Sequence, residues 1–139
     1  MKDLKALAEI GFWMALPLLV CAVLVNSAKA DETPVQPQKF PLALELTFDA
    51  AEFADMSTTL DIKNHPGMYE QNPLLGRNPS DARIIGSCTV AAGIHALITH
   101  EMVVNGWNPK VVKAWEVVSI GVEGGMAAHN FHIGLRFKL

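Results

Sequence analysis

Residues 84–104, IIGSCTVAAGIHALITHEMVV, run for twenty-one positions with one carboxylate, Glu101, close to their end. About twenty predominantly apolar residues are what a helix needs to cross the hydrocarbon of a bilayer. Backbone groups in hydrocarbon must bond within their own segment, which leaves a helix as the single-segment solution. The stretch therefore predicts a membrane-spanning helix, and its neighbours must be read as whatever can pack beside one.

A second apolar run lies at the beginning of the chain. Residues 10–25, IGFWMALPLLVCAVLV, carry no charge and follow Met1, Lys2 and Lys5. NSAKA comes next and places Ala28 and Ala30 in the small-x-small arrangement read by signal peptidase, so residues 1–30 are expected to be a secretory signal peptide cleaved after Ala30. An uncleaved anchor is the competing reading. This leader carries nearly all of the positive mean hydropathy of +0.24, leaving the rest of the chain close to neutral. Cys21 falls before the cleavage point and Cys88 after it, so the mature chain is expected to hold no internal disulfide. Residues 31–41, with three prolines and no apolar periodicity, read as a linker.

Two further stretches flank the central one. Residues 42–62 are LALELTFDAAEFADMSTTLDI; positions 40–48 alternate in a way compatible with a short strand, while Asp49 onward favours a helix. Residues 111–130 form the third stretch, and the alternation of Phe131, Ile133, Leu135, Phe137 and Leu139 is compatible with a second short strand over 131–139. A membrane barrel is excluded, because about eight strands are the minimum for one. In the 63–83 connection, Ser80 or Asp81 is placed to cap the second helix. The turn Asn105-Gly106-Trp107-Asn108-Pro109 makes the second and third helices antiparallel neighbours. The expectation is an all-α membrane bundle of about three helices over residues 42–139.

The flanking helices carry acids where lipid should be, and each central charge costs about 2.5–3.5 kcal/mol on insertion scales. Insertion is feasible if the polar residues share faces. Asp49, Glu52, Asp55 and Thr59 share one, Glu116, Ser119 and Glu123 another, and Cys88, Ala92, His95, Thr99 and Met102 a third. In a hairpin turning near 107 or 108, facing positions sum to about 215, which sets His100 near Glu116 and His95 near Glu123. Matching position 62 with 84 sets Glu52 beside His95. The resulting polar layer is Glu52, His95 and Glu123, with Asp55 about a turn away. Its plainer reading is packing by hydrogen bonds; its sharper reading is a metal or proton site, since imidazole plus carboxylates is a transition-metal ligand set.

Residues 53–83, FADMSTTLDI…GMYEQNPLLGRNPSDAR, resemble a group of small bacterial and phage-encoded membrane proteins of unknown function. The shared pattern is an Asp, a Thr-Thr pair and a Glu-x-Asn-Pro-Leu-Leu-Gly loop, here Asp55, Thr58, Thr59, Glu70, Asn72, Pro73, Leu74, Leu75 and Gly76. The resemblance covers about a quarter of the chain and implies a short bundle of membrane helices, with no activity attached. The loop itself reads as a helix-breaking turn or as a site that recruits another polypeptide.

A net charge of −3 supplies no basic field for nucleic acid. No nucleophile–base pair or glycine-rich phosphate loop stands out, no cofactor is expected, and an enzyme is the less favoured class. The reading is an exported integral membrane protein of the bacterial inner membrane, with its mature N-terminus outside and its C-terminus inside. That orientation follows from Lys63, Arg77, Arg83, Arg136 and Lys138 on one side against Lys39, Lys110 and Lys113 on the other. Its expected partners are lipid and another protein or a second copy, in an accessory or structural role. The alternatives are a soluble periplasmic bundle, a membrane protein handling metal or protons through Glu52, His95 and Glu123, and a phage-type permeabilising protein.

Overall fold

The computed structural model describes residues 38–138, so the expected signal peptide and residues 31–37 of the expected linker lie outside the described residues. Three α-helices follow one another: α1 (Leu42–Thr59), α2 (Asp81–Val104) and α3 (Pro109–His132). A single 3-10 turn, Ile62–Asn64, follows α1. At 18, 24 and 24 residues the helices are about 27, 36 and 36 Å long. Of the three, α2 is long and apolar enough to cross a membrane.

The helix ends are specified locally. Ser80 caps α2, its hydroxyl accepting from the Arg83 amide at 3.3 Å. Asn108 caps α3 by accepting from the Lys110 amide at 2.9 Å, and Pro109 takes the first helical position, where its missing N–H costs nothing. Both α2 and α3 close on a glycine of positive φ, Gly106 at 68° and Gly134 at 104°. In each case the next amide reaches back over the last turn, Trp107 N–H to the Met102 carbonyl and Leu135 N–H to the Asn130 carbonyl, both at 2.9 Å. That closure needs a left-handed residue, which glycine adopts without a Cβ clash.

The two segments compatible with strands are not strands. Among the described residues none forms a sheet: 42–48 is the first part of α1, Phe131 and His132 end α3, and 133–138 is an irregular tail. For 42–48, period-two alternation would send Glu45 and Phe48 to opposite faces, whereas the helix turns both inward with Glu52. For the tail, a strand needs an edge to pair with, and what it finds is the end of α1. There the Lys138 amide donates to Ser57 Oγ at 2.9 Å, and Ser57 Oγ–H donates to the Lys138 carbonyl at 2.9 Å.

The packing register is regular. Glu45 faces Glu116, Glu52 faces Glu123, and Thr59 faces Asn130; the residue numbers differ by 71 in every pair. A constant difference means that α1 and α3 run parallel. Across to α2, Glu45 meets His95 and Glu52 meets Cys88, the numbers summing to 140 both times, so α2 runs antiparallel to α1. Facing residues on α1 recur at 45, 48, 52, 55 and 59, the alternating three-and-four spacing of helices packed side by side.

Candidate functional site

The interior of this bundle is polar. Its buried side chains include Glu45, Glu52, Ser57, Thr58, Thr59, His95, Thr99 and Glu116, next to apolar residues such as Phe48, Ile84, Met102 and Val112. Because facing acids on α1 and α3 both recur every seven residues, the polar groups stack as three rungs along the bundle.

The first rung is Glu45, His95 and Glu116, 5%, 5% and 0% exposed. His95 Nδ1 lies 3.0 Å from Glu45 Oε1. The imidazole is stacked between Phe48, at a centroid distance of 3.7 Å and 10° between planes, and Trp115, at 4.9 Å and 17°. Two aromatic faces leave the ring one plane in which to lie. Trp115 Nε1–H donates to Thr99 Oγ1 at 3.1 Å, and Thr99 Oγ1–H donates to Glu116 Oε1 at 2.9 Å, so the hydroxyl is used as acceptor and donor at once. One ligand atom from each of Glu45, His95 and Glu116 falls within 4.8 Å of the other two. Glu45 Oε2, His95 Nε2 and Glu116 Oε2 are buried and find no hydrogen-bond partner.

The second rung is Glu52, Glu123 and Cys88, with both the thiol and Glu123 within hydrogen-bonding reach of the Glu52 carboxyl. The third holds Asn130, whose Nδ2 donates to Asp55 Oδ1 at 2.9 Å and Thr58 Oγ1 at 3.0 Å, with Thr59 Oγ1 at 3.4 Å. This last rung faces the end of the bundle where the tail and the 60–80 connection meet, the Arg136 amide donating to Asp61 Oδ2 at 3.1 Å.

The structure thus divides the expected layer. Glu52 and Glu123 do face one another, and Asp55 lies about a turn further along α1 beside Asn130. His95 is not with them. It sits at the first rung, and the seven residues separating it from Cys88 amount to about 10.5 Å of helix. The expected set Glu52–His95–Glu123 is therefore replaced by Glu45–His95–Glu116. The cause is the register of α1: matching 62 with 84 aligned the limits of two apolar runs, a sum of 146, whereas the helix ends Thr59 and Asp81 share the observed sum of 140. The hairpin estimate was closer, since Thr99 and Glu116 sum to 215 and are bonded. His100, next to Thr99, is exposed, as are His129 and His132.

The polar stripe on α2 turns inward as the spacing requires, with His95, Thr99 and Met102 buried and Cys88 and Ala92 half-buried. On α1 the stripe begins at Glu45, and Asp49 is exposed. Glu45 was hidden from sequence reasoning by the strand-like alternation around it. The signal that finds it is the shared seven-residue spacing of Glu45, Glu52 and Thr59 with Glu116, Glu123 and Asn130.

The Glu70–Gly76 loop holds its shape through its own residues. Glu70 Oε1 accepts from the Asn72 amide at 2.6 Å, and Asn72 Oδ1 accepts from the Leu74 amide at 2.9 Å, so Pro73 sits inside a side-chain-closed turn. Gly76 has φ +78° and the Arg83 guanidinium beside it, and Arg83 Nη2 donates to the Leu74 carbonyl at 2.8 Å. Leu75 is buried and Leu74 is 72% exposed. The chain matches no family model, no curated protein and no solved structure.

Proposed function

We propose that this chain is a small exported integral membrane protein, lying in the inner membrane and serving as an accessory or structural subunit of a membrane assembly. The observation that carries the reading is the inverted polarity of the bundle. Carboxylates, a histidine and hydroxyls are buried, while Ile85, Val90, Ile94, Leu97 and Val104 on α2 and Val117 and Val118 on α3 are exposed. Water would favour the opposite arrangement; hydrocarbon outside and paired polar groups inside is what a bilayer selects. The 24 residues of α2, about 36 Å long, exceed the roughly 30 Å hydrocarbon core.

One feature favours an accessory role through packing, and another sets the orientation. A Cβ built at Gly86, Gly93, Gly121, Gly124 or Gly125 meets nothing within 4 Å, so these small positions are open surface where another helix can approach closely. Lys63, Arg77, Arg83, Arg136 and Lys138 belong to the 60–80 connection, the start of α2 and the tail, and the tail bonds to the end of α1. With the tail side inside, the basic residues satisfy the positive-inside rule, and the mature N-terminus lies outside.

Membrane fractionation with a carbonate wash, on a C-terminally tagged chain, tests this. The expected result is a tag retained in the washed pellet on a species shorter by about thirty residues. Release of the processed chain as a soluble periplasmic protein overturns the membrane reading.

A further inference from the structure

We infer that Glu45, His95 and Glu116 form a binding site for one divalent transition-metal ion in the bundle interior. The site stands on side-chain geometry alone and goes beyond the accessory role proposed above.

The charge balance of the first rung motivates it. Glu45 and Glu116 adjoin one another in the interior, with one histidine and no lysine or arginine among them. Three acceptor-capable atoms, Glu45 Oε2, His95 Nε2 and Glu116 Oε2, are buried with nothing donating to them. Two carboxylates packed together away from water need a positive charge or protons between them. A metal ion satisfies several such lone pairs at once.

The donor set fits. Imidazole suits zinc, iron, copper and nickel, and carboxylates suit manganese and magnesium; a mixed set of one nitrogen and two oxygens favours a borderline first-row ion such as zinc, iron or manganese. Ligands at about 2.1 Å from a tetrahedral ion are about 3.4 Å apart. One ligand atom from each of the three residues lies within 4.8 Å of the other two, close enough for a single ion to draw them together.

The surroundings hold the ligands as metal sites do. Phe48 and Trp115 fix the imidazole plane, and Thr99, itself bonded by Trp115, orients Glu116. Such supporting bonds raise affinity by keeping ligands pointed at the ion. Glu45, His95 and Glu116 come from three different helices, so the ion would also tie the bundle together. The second rung offers the contrast: no buried side-chain atom is left without a partner there.

The test uses the full chain, purified in detergent, stripped with chelator and titrated with Co2+ followed by its d–d absorbance, then competed with Zn2+. One Co2+ per chain, displaced by Zn2+, is expected. The isosteric Glu116→Gln and Glu45→Gln variants should bind on the order of a hundredfold more weakly, and Thr99→Val about tenfold. Glu52→Gln, two turns along α1, should bind as the wild type does. Circular dichroism on every variant keeps a folding defect from passing as ligand loss, and a variant that unfolds is replaced by His95→Gln. Absence of Co2+ binding in the folded wild type overturns the site, and the carboxyls then share a proton. Binding that survives both Glu→Gln changes, or falls equally with Glu52→Gln, overturns it too. Fractionation is read separately, so a soluble chain that binds Co2+ sinks only the membrane reading.

Discussion

Asn130 is a single amide serving three acceptors, Asp55, Thr58 and Thr59, at the bundle end nearest the 60–80 connection. Replacing it by alanine leaves buried or half-buried oxygens without their donor, which costs about 1–3 kcal/mol. Asn130→Asp should cost more, because a second carboxylate then faces Asp55 in place of a donor; thermal denaturation in detergent ranks the two. Asp61, beyond the end of α1, is held differently. Asn64 and His65 side chains and the Arg136 amide bond its carboxylate and lower its pKa from the ordinary 3.8 to about 2. A depressed folded-state value contributes stability that is present above the unfolded value and is lost as pH falls from about 4 to about 2. Asp61→Asn should therefore flatten the decline in melting temperature over that window; an unchanged decline would mean that other groups govern it.

At the scale of the elements, helix ends and the inward stripes of α2 and α3 were largely legible in the sequence, and the face of α1 was not. Ser80 was readable as a cap because a short polar side chain before an apolar run can serve the open first turn. Asn108, placed by the sequence only in the turn before the third helix, proves to cap α3. The face of α1 was obscured because 42–48 fits both a period of two and a period near 3.6, and a short segment does not separate them. Packing decided: only the helix lets Glu45 reach His95 while Phe48 stacks on the same ring. Closure of α3 gives an element-scale prediction. Gly134 at φ +104° lies where a Cβ is strained, so Gly134→Ala should lower stability by about 1–2 kcal/mol. It should also loosen the tail, read as faster hydrogen exchange at the Lys138 amide, which is bonded to Ser57.

For the whole molecule, the decisive property is which medium the apolar surface faces. Leu97 is 58% exposed on the outer face of the second half of α2, opposite in sense to the buried His95 two positions away. A lysine there costs about 2.5–3.5 kcal/mol if that face meets hydrocarbon, and next to nothing if it meets water. Leu97→Lys should shift the chain out of the carbonate-washed pellet, while His100→Lys, a substitution in the same helix closer to its end, should shift it less. Equal behaviour of the two would mean that this face does not meet hydrocarbon.

The number of helices, their caps, the tight hairpin between α2 and α3 and the apolar length of α2 follow from local pattern, because each is set by residues within a few positions of one another. The partners of the buried charges do not. A carboxylate's neighbours across a bundle depend on how far one helix slides along the next, and a slide of six residues moved His95 from Glu52 to Glu45. Spacing alone specifies which residues share a face, whereas the slide is settled only when all three helices, the 60–80 connection and the tail pack at once.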